Sequence, residues 1–157
     1  MGLTLTSEAF ANAQEIPAVH TCQGRDISPA LSWDHVPANT QSLALIVHDP
    51  DIPSPEAPTR VWVHWILYNL PADLTGLPED VYSSGLPVGV REGRNDWKKT
   101  GYGGPCPPRG RHRYVHRLYA LDIRLEDLKE PTKPQLEKAM AGHIIDQAEL
   151  MGTYEKV

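Results

Sequence analysis

A single β-rich, loop-rich domain spanning residues 1–157, with a helix at its C-terminal end, is what this sequence predicts. Three observations carry that prediction. Three apolar runs, SLALIVH, VWVHWILYNL and HRYVHRLYAL, are rich in residues that favour a pleated, buried backbone. Fifteen prolines in 157 residues is about twice the usual share of roughly 5%, and with no low-complexity repeat they read as rigid turns. Near the end the apolar period changes from two to about four. The length suits one sizeable core, and neither a linker nor an internal repeat divides it.

In chain order, Leu3 and Leu5 fit a short first strand. The same start, MGLTLT, matches a short lipidation pattern that arises often by chance, and lipidation is not expected. Ser42 to His48 reads as a strand buried on both faces. Val61 to Leu70 reads as a second, with Trp62, His64, Ile66 and Tyr68 on one face and Val63, Trp65 and Leu67 on the other. Turn residues fill the stretch from Pro71 to about Thr100, long enough to be functional or draped over a core. His112 to Leu121 is the third strand, with His112, Tyr114, His116, Leu118 and Ala120 on one face. Leu125 to Lys129 reads as a short helical turn. Leu136, Met140, Ile144, Ala148 and Met151 then form one apolar stripe of a helix, with Thr132 and Gln135 as its capping box and Gly152 as its stop.

A net charge of −5 gives no global basic field for nucleic acid. No apolar run reaches the roughly 20 residues that span a bilayer, and the first residues lack the pattern of a secretory leader. Cys22 and Cys106 are isolated and share no metal-ligand spacing, so they are expected to be reduced thiols in a cytoplasmic protein. No cofactor or metal is expected.

The polar residues concentrate at strand ends. Asp49 and Asp51 follow the first apolar run, His64 sits near the start of the second, and His112 and Tyr114 open the third. If the strands share a sheet, two carboxylates, two imidazoles and a phenol reach one rim. Feeding the third strand is GGPCPPRGRHRY, in which glycines and prolines rule out a helix and disturb a sheet ladder. It is not a phosphate loop of the G-x-x-x-x-G-K-[ST] kind. Each residue also has a plainer reading: an Asp-Pro-Asp turn, a hydrogen-bonded core histidine between tryptophans, a core tyrosine.

DPDIP, WVHW and GYGGPCPPRGRHRYVHRLYALD, with TCQGRDISPALSW before them and LEKAMAGHIIDQAELMGTYEK after, resemble the phosphatidylethanolamine-binding protein family. The resemblance covers essentially the whole chain. It is strongest to the bacterial and archaeal branch described as Raf-kinase-inhibitor-like. What it implies is a mainly β fold of two antiparallel sheets with a few peripheral helices. It also implies a small anion pocket formed by Asp49, His64, His112 and Tyr114, supported by Asp51 and Pro53, with a cis Ile52–Pro53 peptide and Gly104, Pro105, Pro107 and Pro108 as a wall. Partners implied are a small phosphorylated ligand or phospholipid headgroup, a kinase or protease to be regulated, and a second copy in a homodimer. Two positions depart from the family pattern: His116 stands where an aromatic, usually Phe, is expected, and Trp97 replaces a Phe.

Imidazole and phenol donors suit a phosphoryl group, and three or four charge-assisted bonds of about 1.5–3 kcal/mol each would hold one at micromolar to millimolar strength. Asp49 is expected to orient a histidine, with stronger anion binding at pH 6 than at pH 8. The prolines preorganise the wall. Alternatives from the same residues are a phosphoester or ester hydrolase, a Cys106–His112 nucleophile pair, and a metal site of Asp49, His64 and His112.

Overall fold

The computed structural model describes residues 2–157. Eight strands form two antiparallel sheets. The smaller joins β1 (Thr4–Thr6), β2 (Leu31–Asp34) and β5 (Gly76–Leu77). The larger has the order β6-β4-β3-β7-β8, from β6 (Arg91–Glu92), β4 (Arg60–Pro71), β3 (Ser42–Ile52) and β7 (Arg111–Leu121) to β8 (Ile144–Glu155). Two short helices, α1 (Val81–Ser84) and α2 (Lys133–Met140), lie outside the sheets.

Strand periodicity sorts the large sheet's side chains into two apolar layers. Leu43, Leu45 and Val47 of β3 and Leu118 of β7 face Leu5 and Trp33 of the small sheet, forming the core between the sheets. Ala44 and Ile46 point the other way and are covered by Leu136 and Met140 of α2. Burial on both faces explains why β3 reads as a continuous apolar run.

Four expectations need correction. The face assignment along β4 fails because Val47 pairs with Trp65 while His48 pairs with Val63, which leaves His64 as an extra residue in a bulge. Trp62, His64, Trp65 and Leu67 therefore lie on the inter-sheet side, and Val63, Ile66 and Tyr68 on the outer side. The C-terminal helix is shorter than its apolar stripe suggests. The Thr132–Gln135 capping box forms, but α2 ends at Met140, where Gly142 turns the chain at φ 82°. Ile144, Ala148, Met151 and Gly152 belong to β8, which runs beside β7 and buries Leu150, Gly152 and Tyr154 on alternate positions. Leu125 to Lys129 is irregular, pinned by Asn69, whose side chain donates to Leu125 O and accepts from Leu125 N.

The cysteines are the fourth correction. Cys22 and Cys106 form a disulfide with Cα atoms 5.4 Å apart. They are 84 residues apart in sequence, but Cys22 N donates to Pro105 O at 3.1 Å, so the fold sets their loops side by side. Sequence spacing carries no trace of that contact.

Candidate functional site

β3, β4 and β7 are neighbours, and at one end of the inter-sheet core their polar residues converge. Asp49 continues the inward side of β3, following Leu43, Leu45 and Val47, and pairs across the sheet with Trp62. The β4 bulge keeps His64 on that side. Tyr114 reaches the same place from β7 and packs edge-on against His64, ring centroids 5.2 Å apart. These residues, with Ile52, Trp97, Cys106 and Pro108, line a cavity of about 320 Å³.

His64 is fixed by a reciprocal contact with the Gly/Pro loop. Its Nδ1–H donates to Gly103 O at 2.7 Å, and Gly103 N donates to His64 O at 3.1 Å. Burial above all lowers its pKa to about 4, so the ring is neutral at ordinary pH. With Nδ1 carrying the hydrogen, Nε2 holds a lone pair. Trp97 also packs against the His64 ring at a near-perpendicular angle, ring centroids 5.1 Å apart.

Tyr114 is 1% exposed, and its hydroxyl meets no hydrogen-bond partner among the described residues. Burial, then the negative charge of Asp49 and the nearness of its carboxylate to the hydroxyl, raises its pKa well above the ordinary phenol range. It therefore keeps its proton and has it to donate. A buried hydroxyl without a partner costs about 1–3 kcal/mol, which a ligand acceptor in the cavity would relieve.

Asp49 is fully engaged. Oδ1 accepts from Asp51 N at 2.7 Å and Oδ2 from His112 Nδ1 at 2.6 Å. Burial raises its pKa above the usual carboxylate range, against the lowering effect of those bonds. His112 does not open onto the cavity. It is wholly buried, with Nδ1 on Asp49 and Nε2 donating to Arg109 O at 2.6 Å. Both partners are acceptors, so both bonds exist together only when both ring nitrogens carry hydrogen.

The other expected residues fall into place around this centre. Asp51 does not reach the cavity; its carboxylate takes the Arg113 guanidinium from Nε at 3.0 Å and Nη2 at 2.8 Å, which lowers its pKa. Ile52–Pro53 is cis. Gly104 stands behind the wall, where its N–H donates to Asp26 Oδ1 at 2.8 Å and a side chain would run into His20 O. Pro105 borders a narrow crevice beside Tyr114 and His116, and Pro107 is buried, so Pro108 is the proline that lines the cavity. His116 is a neutral core residue, its pKa lowered to about 4 chiefly by burial, packed 5.5 Å from Phe10.

Two alternatives lose their basis. Cys106 has no thiol to pair with His112, because it is disulfide-bonded. Among the described residues no group of three or more His, Cys, Asp and Glu is arranged to hold a metal. The sequence reading named Pro108 as wall but did not place Trp62, Trp97 or Cys106 in the lining. Trp62 could have been found, since it sits two residues from His64 on a strand.

The sequence profile of the phosphatidylethanolamine-binding protein family matches residues 6–155. The chain belongs to that family. The UPF0098 protein of Methanothermobacter thermautotrophicus is 47% identical over 155 residues, 98% of this chain and 99% of its own length. A phosphatidylethanolamine-binding protein homologue from Chlamydia trachomatis has a crystal structure that superposes with a TM-score of 0.89 at 46% identity, covering 99% of both chains. E. coli YbcL, a member of the same family, superposes at 0.88 with 32% identity over the full length of both. The two antiparallel sheets with few helices are thus the family fold. Among the described residues no helix is long and apolar enough to cross a membrane.

Proposed function

We propose that the chain is a binding protein for a small phosphorylated ligand, a free phosphomonoester or a lipid headgroup, held in the cavity that Tyr114 and His64 line side by side. The observation that carries this reading is the Tyr114 hydroxyl, buried, protonated and without a partner among the described residues. Beside it, neutral His64 has an acceptor nitrogen. A phosphate monoanion answers both: an unprotonated oxygen accepts from Tyr114 and its P–OH donates to His64 Nε2. The Asp49 carboxylate at the cavity edge disfavours a dianion.

This reading keeps the expected pH trend but assigns it a different cause. His64, with its pKa near 4, stays neutral, and the ligand's second ionisation near pH 6 governs binding. Calorimetric titration with O-phosphoethanolamine and with inorganic phosphate tests the reading. Tyr114→Phe is expected to weaken both by at least about tenfold, the size of one charge-assisted bond. Unchanged affinity in that variant would remove the reading's support. Equal affinity for the two ligands would identify the phosphoryl group rather than the headgroup as the feature recognised.

A further inference from the structure

Two loops meet at the cavity wall, and they are held together unevenly. Up to Pro105 the wall is hydrogen-bonded throughout: Tyr102 Oη donates to His20 O at 2.7 Å, Gly103 exchanges bonds with His64, Gly104 N donates to Asp26, and Pro105 O accepts from Cys22 N. From Arg109 it is held again, through His112. Between these anchors no hydrogen bond among the described residues holds Cys106, Pro107 or Pro108, and the prolines have no N–H to offer. Yet Cys106 and Pro108 line the cavity. The covalent tie of that segment is the disulfide to Cys22, and both of its cysteines are exposed.

Exposed disulfides are the ones open to attack by thiolates. We propose that Cys22–Cys106 is a thiol-exchange site whose state sets the ligand affinity of the adjoining cavity, with a low-molecular-weight thiol as co-reactant. The thiolate attacks Sγ of Cys106, forming a mixed disulfide and releasing Cys22 as a thiolate that takes up a proton. A second thiolate attacks the outer sulfur of the mixed disulfide, leaves as the small-molecule disulfide, and frees Cys106 as a thiol. Two small thiols are oxidised and one protein disulfide is reduced, with the two protons passing to the cysteines.

The affinity effect rests on the anion-binding reading; the exchange chemistry does not. With the tie cut, Cys106–Pro108 is free to leave the wall. If the wall keeps its place about a tenth of the time, apparent affinity falls about tenfold.

The folded protein is incubated with reduced glutathione, and intact mass and free-thiol count are followed while near-ultraviolet circular dichroism reports the native fold. A glutathionyl adduct followed by two free thiols, with the native spectrum retained, is the expected result. Thiols that appear only once the spectrum is lost would overturn the exchange site. O-phosphoethanolamine is then titrated into the oxidised, reduced and reoxidised protein and into the C22S/C106S variant. Reduced and variant proteins should bind about tenfold more weakly than the oxidised form, with reoxidation restoring the wild type. Equal affinity in the oxidised and reduced forms would overturn the coupling. If the oxidised protein fails to bind at all, the anion reading falls, and the mass measurement still decides the exchange site.

Discussion

The two faces of β4 carry two concavities, and the larger is the less eloquent. On the outer face a groove of about 600 Å³ is lined by Arg60, Val63, Arg94, Asp96, Lys98 and Lys133 among others. Its polar groups are largely engaged: Arg94 with Glu130 and Lys133 with Glu137, both at 3.0 Å, and Asp96 with the backbone N–H of Val63 at 2.7 Å. The inner cavity has about half that volume, at about 320 Å³, but leaves a buried hydroxyl unpaired and an imidazole nitrogen free of protein partners. Unsatisfied buried polarity that opens onto a cavity, rather than size or charge, marks a site built for a ligand.

Buried histidines sharpen the comparison. His48 on the outer side and His64 on the inner side both have their pKa lowered to about 4, and burial is the leading cause in each. His48 also lacks a partner for its Nδ1, but it does not line the cavity; beside it the charges of Lys133 and Arg117 further oppose protonation. A shared pKa therefore does not imply a shared role.

Acid sensitivity is the largest effect expected. His48, His64 and His116 are neutral in the fold down to about pH 4, but protonate near 6.5 when unfolded. The unfolded state then binds more protons between those values, so stability falls as pH drops from 6.5 toward 4. Each histidine contributes a slope of about 1.4 kcal/mol per pH unit. The raised pKa of Asp49 acts in the opposite sense, adding stability at low pH that is lost as pH rises through its folded value, and so offsets part of the loss. Urea denaturation at pH 7, 6 and 5 measures the balance; stability that stays constant or rises on acidification would contradict the assignment of neutral histidines.

Asp49→Ala comes next. It strips the buried partner from His112 and is expected to destabilise by about 3–5 kcal/mol in denaturant unfolding. The C22S/C106S variant opens a tie across 84 residues and should lose about 2–4 kcal/mol. Smaller still, and of opposite sign, is Tyr114→Phe. Removing a buried hydroxyl that is unpaired among the described residues should stabilise the unliganded protein by about 1–3 kcal/mol, while ligand binding falls. Loss of stability and binding together would make Tyr114 structural. His48→Leu, by contrast, should leave ligand affinity unchanged, which separates the two faces directly.

Much of this was legible in the sequence because it is local. β3, β4 and β7 follow from apolar runs, and the capping box of α2 from Thr132 and Gln135. The convergence of Asp49, His64 and Tyr114 follows from strand ends in neighbouring strands. What escaped depends on contacts distant in sequence. The β4 bulge at His64 reverses the alternation beyond it, and nothing in WVHWIL announces it. β8 mimics a helix because Ile144, Ala148 and Met151 happen to recur at helical spacing, while pairing with β7 decides the outcome. The direction of His112, turned onto Asp49 and Arg109 O rather than into the cavity, depends on three separate segments.

The central claim is that the cavity selects a protonated monoanion through Tyr114 and a neutral His64. Calorimetric titration of O-phosphoethanolamine and of sulfate at pH 6 and pH 8 tests it most directly. With a second ionisation near pH 6, the phosphomonoester is about half monoanion at pH 6 and roughly one part in a hundred at pH 8. Its affinity should fall about fiftyfold over that interval. Sulfate, with no proton to give His64 Nε2, should bind at least about tenfold more weakly than the phosphomonoester at pH 6. Phosphoethanolamine binding that is equal or tighter at pH 8, or sulfate matching it at pH 6, would contradict the account.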